Sequence, residues 1–416
     1  IVPTGSTMVL NQTGGLSLGA TTLTLSGGGN FQSVGLDLND ASSKLLLNSI
    51  TVDSVSTSAD SSGLDIDADS TVSSLSVANI TPVAIADGIS LSGAITVTAG
   101  SIKLAETGTL ASSISMTGGT LDVDNSLTVS GALTLPHEGN ITIDVLTDKT
   151  LTYTGAGISL GANTLTLSGG GSLVSGGLTL NDEDSKLLLN SITVDSVSTS
   201  ADSLGLLVGA DSTVTSLSVA HITPVSIANT KTLSGAVTVT AGSLKLNDKG
   251  TLVSNIAMSG GTLDADETLS VSGALVQGGN ISIDVASGKT LTFSTGEIKT
   301  ESYQLTLAGE GTIAFPSNAS GIVLNNAAGL LKLDGTGTLG AAKVTAVSNA
   351  GKGLAVNASS TISSLKVAAN TELNVAQGKT LSGSAEVAAA KTLKLSGTGT
   401  FGSALNLLGT LEAGAN

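Results

Sequence analysis

The chain has 416 residues, with 32 acidic side chains against 16 Lys, no Arg, no Cys and no Trp, giving a formal net charge of −16. This balance argues against a nucleic-acid partner, which needs clustered Lys or Arg to displace counterions, and the lack of Cys rules out a disulfide framework. Hydrophobic residues make up 40% of the chain, charged ones 12% and aromatic ones 1%, so it is neither disordered nor packed around large rings; its core must consist of aliphatic side chains stacked many times over.

Taken in chain order, the first elements that stand out are LTLSGGG at 23–29 and KLLLNSITVDSVSTSAD at 44–60. The first recurs at 165–171 and the second, unchanged, at 186–202, both at an offset of 142. The register holds through ITVTAG at 95–100 and VTVTAG at 237–242, then slips by two at Pro136-His137-Glu138, so that ITIDV at 141–145 answers ISIDV at 281–285. A third copy, richer in Ala and drifting in offset, contains LTLAG at 305–309 and GKTLSG at 378–383. Three long repeats are therefore expected, at 1–142, 143–282 and 283–416, forming one continuous column.

Within the first repeat, apolar-polar-apolar triplets follow one another: Ile89-Ser90-Leu91, Ile95-Thr96-Val97, Ile102-Lys103-Leu104, Ile114-Ser115-Met116, Leu121-Asp122-Val123, Leu127-Thr128-Val129 and Leu133-Thr134-Leu135. Alternation with period two puts one face in and one face out, and the β-branched residues favour strands. Leu91 to Leu110 and Leu110 to Val129 each span 19 residues, which predicts coils of roughly twenty residues with two or three short strands each. The expected fold is all-β: a right-handed parallel β-helix, an elongated rod of about twenty coils rising about 4.8 Å each. Leu, Ile and Val face inward in ladders, Thr, Ser and Asp face outward, and Gly takes the corners. The scarcity of Pro, five in all, fits strands that would each lose a ladder bond to it.

The segments Thr120-Leu121-Asp122-Val123, Leu127-Thr128-Val129-Ser130-Gly131 and Ser234 to Gly242 (SGAVTVTAG) resemble coils of bacterial right-handed parallel β-helix surface proteins. These are the autotransporter passengers, filamentous-haemagglutinin-like adhesins and related surface fibres. The resemblance is one of pattern and composition over nearly the whole chain. It implies an extracellular or cell-surface protein, exported after removal of a signal that this sequence does not contain. The sequence departs from autotransporters in having no C-terminal aromatic-girdled barrel.

The candidate chemistries each have a plainer explanation. Enzymes built on parallel β-helices, such as pectin-degrading ones, need clustered acids, a basic residue and usually aromatic sugar platforms; here Arg and Trp are missing and the six Tyr and Phe are scattered, so no enzyme is expected. His221 stands where the first repeat has Asn79, and His137 lies in the two-residue insertion; both read as exposed turn residues. Asp65-Ile66-Asp67-Ala68-Asp69 would set three carboxylates on one strand face, and Asp182-Glu183-Asp184 forms a turn. Calcium suits such oxygen sets, yet the second repeat has Leu207 and Gly209 in place of Asp65 and Asp67, so these carboxylates read as solvated charge guarding exposed strands. Thr96 and Thr98, Thr150 and Thr152, and Thr238 and Thr240 are arrays that could bind ice; Glu386 and Ala388 interrupt the last in the third repeat. The sequons at Asn11 and Asn140 are chance matches, and Gly27-Gly28-Gly29 is a turn rather than a phosphate loop. No catalytic, cofactor or metal residue is expected.

The two ends fall near adjacent phases of the long repeat, and neither carries a polar helix or a Pro-rich cap. The expected partner is therefore the chain itself, stacked end to end, or a cell-surface or host ligand. The functional expectation is an extracellular filament or stalk subunit, with a segment of a larger adhesin and an ice- or carbohydrate-binding solenoid as alternatives.

Overall fold

The computed structural model describes residues 1–136, 138–336, 338–348 and 350–413. Each coil places one strand on a first wall and either one long strand or two short ones on a second wall, and each strand pairs in parallel with its counterpart one coil away. The triplets appear as these strands. Ile102-Lys103-Leu104 pairs residue for residue with Leu121-Asp122-Val123, and Leu91 stacks on Leu110, which stacks on Val129. About twenty coils follow one another, so the fold is an all-β parallel solenoid with no helix among the described residues. None of its elements is therefore a helix long and apolar enough to cross a membrane.

The chain divides into two compact units, Ile1–Gly205 with Gly209–Thr215, and Leu206–Val208 with Ser216–Asn416. In the first unit, Leu45, Leu64, Val83, Leu104, Val123 and Val145 form an inward ladder on the first wall. None of them exposes more than 1% of its surface. The second unit has an equivalent ladder in Leu244, Leu263, Ile283, Leu307, Leu333 and Val356. Fully burying such a side chain contributes roughly 1.5–3 kcal/mol, and the ladder repeats that gain once per coil.

Coil length varies where the chain turns, not where it pairs. Leu45 meets Leu64 after 19 residues, Leu23 meets Leu45 after 22, and Leu305 meets Leu331 after 26. One corner is built the same way in all three long repeats. The side-chain oxygens of Asn39, Asn181 and Asn325 accept the backbone N–H of Gly19, Gly161 and Glu301 in the neighbouring coil, each at 2.8 Å. The next residues, Asp40, Asp182 and Asn326, each accept the N–H two positions on, at 2.8, 3.0 and 3.0 Å. This Asx turn reverses the chain without help from secondary structure.

Two features depart from the sequence reading. Pro82 and Pro224, two of the five prolines, sit inside the strands Ile80–Ile85 and Ile222–Ile227. Each stands in register with a Lys of the following coil, while pairing with the preceding coil begins only at Val83 and at Val225, just past each ring, so the missing donor falls outside that ladder. Thr81 and Thr223 point inward and are fully buried, stacked with Ile102 and Leu244. Their hydroxyls donate to the carbonyls of Asn79 and His221 at 3.2 Å, which satisfies a polar atom inside an aliphatic column.

Candidate functional surfaces

Outward residues also stack in columns, one per alternate strand position. On the first wall, Lys103 lies beside Asp122, which lies beside Asp144; further along the chain Lys245, Asp264 and Asp284 repeat the arrangement. The lysines bridge to the first carboxylate at 3.1 and 3.4 Å. Desolvation nonetheless outweighs these pairs and raises both Asp122 and Asp264 above the ordinary carboxylate range. Neighbouring acids add to it, Asp266 foremost for Asp264 and Asp124 and Asp144 for Asp122.

A carboxyl whose folded pKa lies above its unfolded value contributes stability while protonated and loses that contribution as pH rises through the folded pKa. Asp122→Asn and Asp264→Asn, which mimic the protonated form, are therefore expected to stabilise the protein at neutral pH. The gain over wild type should shrink on acidification into the carboxylate range. Denaturation midpoints measured against pH check this; a variant less stable than wild type at neutral pH would contradict it.

The structure disperses the acidic candidates. The strand carrying Asp65 ends at Ile66, so the three carboxylates of 65–69 do not share a strand face. Asp65 pairs with Lys44 at 2.5 Å, and Asp69 accepts the backbone N–H and hydroxyl of Ser90 at 2.9 and 3.0 Å. Asp182 is the turn-forming residue described above. Among the described residues no group of three or more His, Cys, Asp or Glu side chains is placed to hold a metal ion. His221 is half-buried at a corner before the strand Ile222–Ile227, and His137 lies outside the described residues. Two of the aromatics, scattered in sequence, meet in the core: Phe293 and Phe315 stack with ring centroids 5.7 Å apart.

The Thr arrays are short. Thr96 belongs to an outward hydroxyl column with Ser56, Ser76, Ser115 and Thr134 on the second wall, interrupted by no apolar residue in that stretch. Thr238 is instead followed by Ala257 and Val276, and Thr152 by Val174.

No family model, curated protein or solved structure matches the chain. The surfaces must therefore be judged on their own geometry.

One concavity lies in the second unit, on the outer face of the second wall. Two adjoining cavities of about 630 and 480 Å³ share Lys343, Thr345 and Lys366 as lining residues. Two outward columns form the floor. One runs Lys299, Val323, Thr345, Lys366, Glu386, Asn406 across six successive coils. Beside it run Lys343, Ser364, Ser384 and Ala404. Lys299 pairs with Glu297 at 2.9 Å, the Lys343 ammonium donates to the Ser317 carbonyl at 3.3 Å, and Lys366 is exposed.

Proposed function

We propose that the protein is a non-enzymatic extracellular structural element, a subunit of a surface filament or stalk that associates with further copies of itself. The observation that carries this reading is where the recurrence of the sequence falls in the structure. What repeats across the three long copies is the coil-to-coil hardware: the Asn39, Asn181 and Asn325 corner bonds and the Asx turns that follow them. Many outward positions recur between the first two copies as well, Ser76 and Ser218 among them, but in the third copy they change while the hardware stays, as where Lys366 fills the matching place. A chain patterned in this way specifies a scaffold. Because each coil contacts only its neighbours, such a scaffold can also assemble coil by coil as the chain emerges from an export channel.

Electron microscopy of the purified chain over a range of concentrations tests the proposal. Rods that lengthen with concentration are expected; particles of one length at every concentration would overturn self-association. A second reading, a segment of an adhesin, is favoured by the groove around Lys343 and Lys366.

A further inference from the structure

We propose that the groove on the second wall of residues 297–406 is a binding site for a carboxylate-bearing glycan, such as a stretch of uronic acids. The inference goes beyond the structural reading and does not depend on it, since a filament can form whether or not its flank binds sugar.

Three observations carry it. First, the outward column that floors the groove can be followed through the long repeats by strand register. In the first repeat it runs Ser17, Asp37, Ser56, Ser76, Thr96 and Ser115, and in the second it includes Ser159, Thr179 and Ser198. In the third the corresponding places hold Lys299, Val323, Thr345, Lys366, Glu386 and Asn406. The inward neighbours are mostly apolar, with buried Thr57, Thr199 and Thr300 among them, in the early repeats and the third alike: Leu75 and Leu365 are equally buried beneath Ser76 and Lys366. The change of chemistry is therefore confined to the outer surface, where packing does not demand it.

Second, the same place is concave, with two adjoining cavities over it. The column spans five coil-to-coil steps, about 24 Å at the usual strand spacing, so it suits an extended chain rather than a compact ligand.

Third, charge is divided along the sequence. Residues 1–282 carry 24 acidic side chains and seven Lys, a net −17, while residues 283–416 carry eight and nine, a net +1. The groove lies in the part of the chain that does not repel an anion.

The mixture of groups selects the class of anion. Glu297 and Glu386 stand within the same groove as the lysines. A nucleic acid, with a phosphate at every step, would meet those carboxylates head-on, and the groove offers no aromatic platform or Arg for its bases. A polyhydroxylated chain with spaced carboxylates fits instead. Its hydroxyls donate to Glu386 and to the Asn406 carbonyl oxygen, accept from Ser364 and Ser384, and its carboxylates accept from Lys343 and Lys366.

The test uses the full chain with oligogalacturonate as probe, titrated by calorimetry at low and at physiological salt. Expected is saturable binding that weakens with salt, falls at least tenfold in Lys343→Ala/Lys366→Ala, and is unchanged in Lys44→Ala/Lys103→Ala, which removes two lysines elsewhere. Both double variants alter outward side chains, and circular dichroism confirms that they remain folded. No binding of the probe, binding that survives loss of Lys343 and Lys366, or equal binding of an oligothymidylate of matched charge would each overturn the proposal. None of these results bears on whether the rods elongate, so the two proposals fail separately.

Discussion

Gly93→Ala is expected to lower stability by about 3 kcal/mol, combining backbone strain at positive φ with overpacking against a fixed neighbour. Gly93 has φ of +123°, inside the long strand Ser90–Val97, at the point where register with the neighbouring strand shifts by one residue. A Cβ there would run into the Val72 carbonyl of the neighbouring coil, which is backbone and cannot swing aside. Gly235 and Gly383 occupy the same place in the later repeats, with φ of +131° and +136°. Gly88 provides the control. Its φ is +73° but nothing lies within 4 Å of an added Cβ, so Gly88→Ala should cost only about 1 kcal/mol of strain. Denaturant midpoints compare the two, and hydrogen exchange of the flanking coils locates the damage. Equal losses at the two sites would show that the bulge, rather than the left-handed backbone alone, has been given too much weight.

Leu45→Ala should cost about 2–5 kcal/mol, the range for truncating a buried Leu where the surroundings cannot collapse. Leu45 is fully buried and sits between Leu23 and Leu64 in the inward ladder. Collapse is hindered because the coils above and below are held at a fixed rise by their backbone bonds. Leu46, the adjacent residue, is half-buried on the outer face between Thr24 and Asp65. Leu46→Thr should change stability by no more than about 0.5 kcal/mol. A comparable loss at both positions in chemical denaturation would contradict the assignment of inner and outer faces.

The stacking was legible in the sequence because period two and a coil of constant length leave direct traces. The 19-residue steps from Leu91 to Leu110 to Val129 reappear as strand register, and most triplets place both apolar members inside. Ile89 is the exception, half-exposed at a turn before its strand starts at Ser90. Corners were harder to read. The Asn-Asp and Asn-Asn pairs at 39–40, 181–182 and 325–326 look like ordinary polar loop, and only the fold reveals that their first members reach a coil some twenty residues away. The inward Thr81 and Thr223 were illegible for a related reason, since a hydroxyl that satisfies itself on a carbonyl two residues back has no signature in an alternation pattern. The groove escaped notice because Lys299, Lys343 and Lys366 are separated by 44 and 23 residues. No window of sequence joins them; register does.

The tolerance of the turns for extra residues sets how such a molecule can change size. Because Leu91, Leu110 and Val129 lie one above another, excising the stretch from Leu110 to Thr128 would bring Val129 to rest on Leu91 with every remaining aliphatic column still aligned. Growth and shrinkage are thus quantised in whole turns of the spiral. Length can be adjusted by duplication or loss of such turns without redesigning what lies inside.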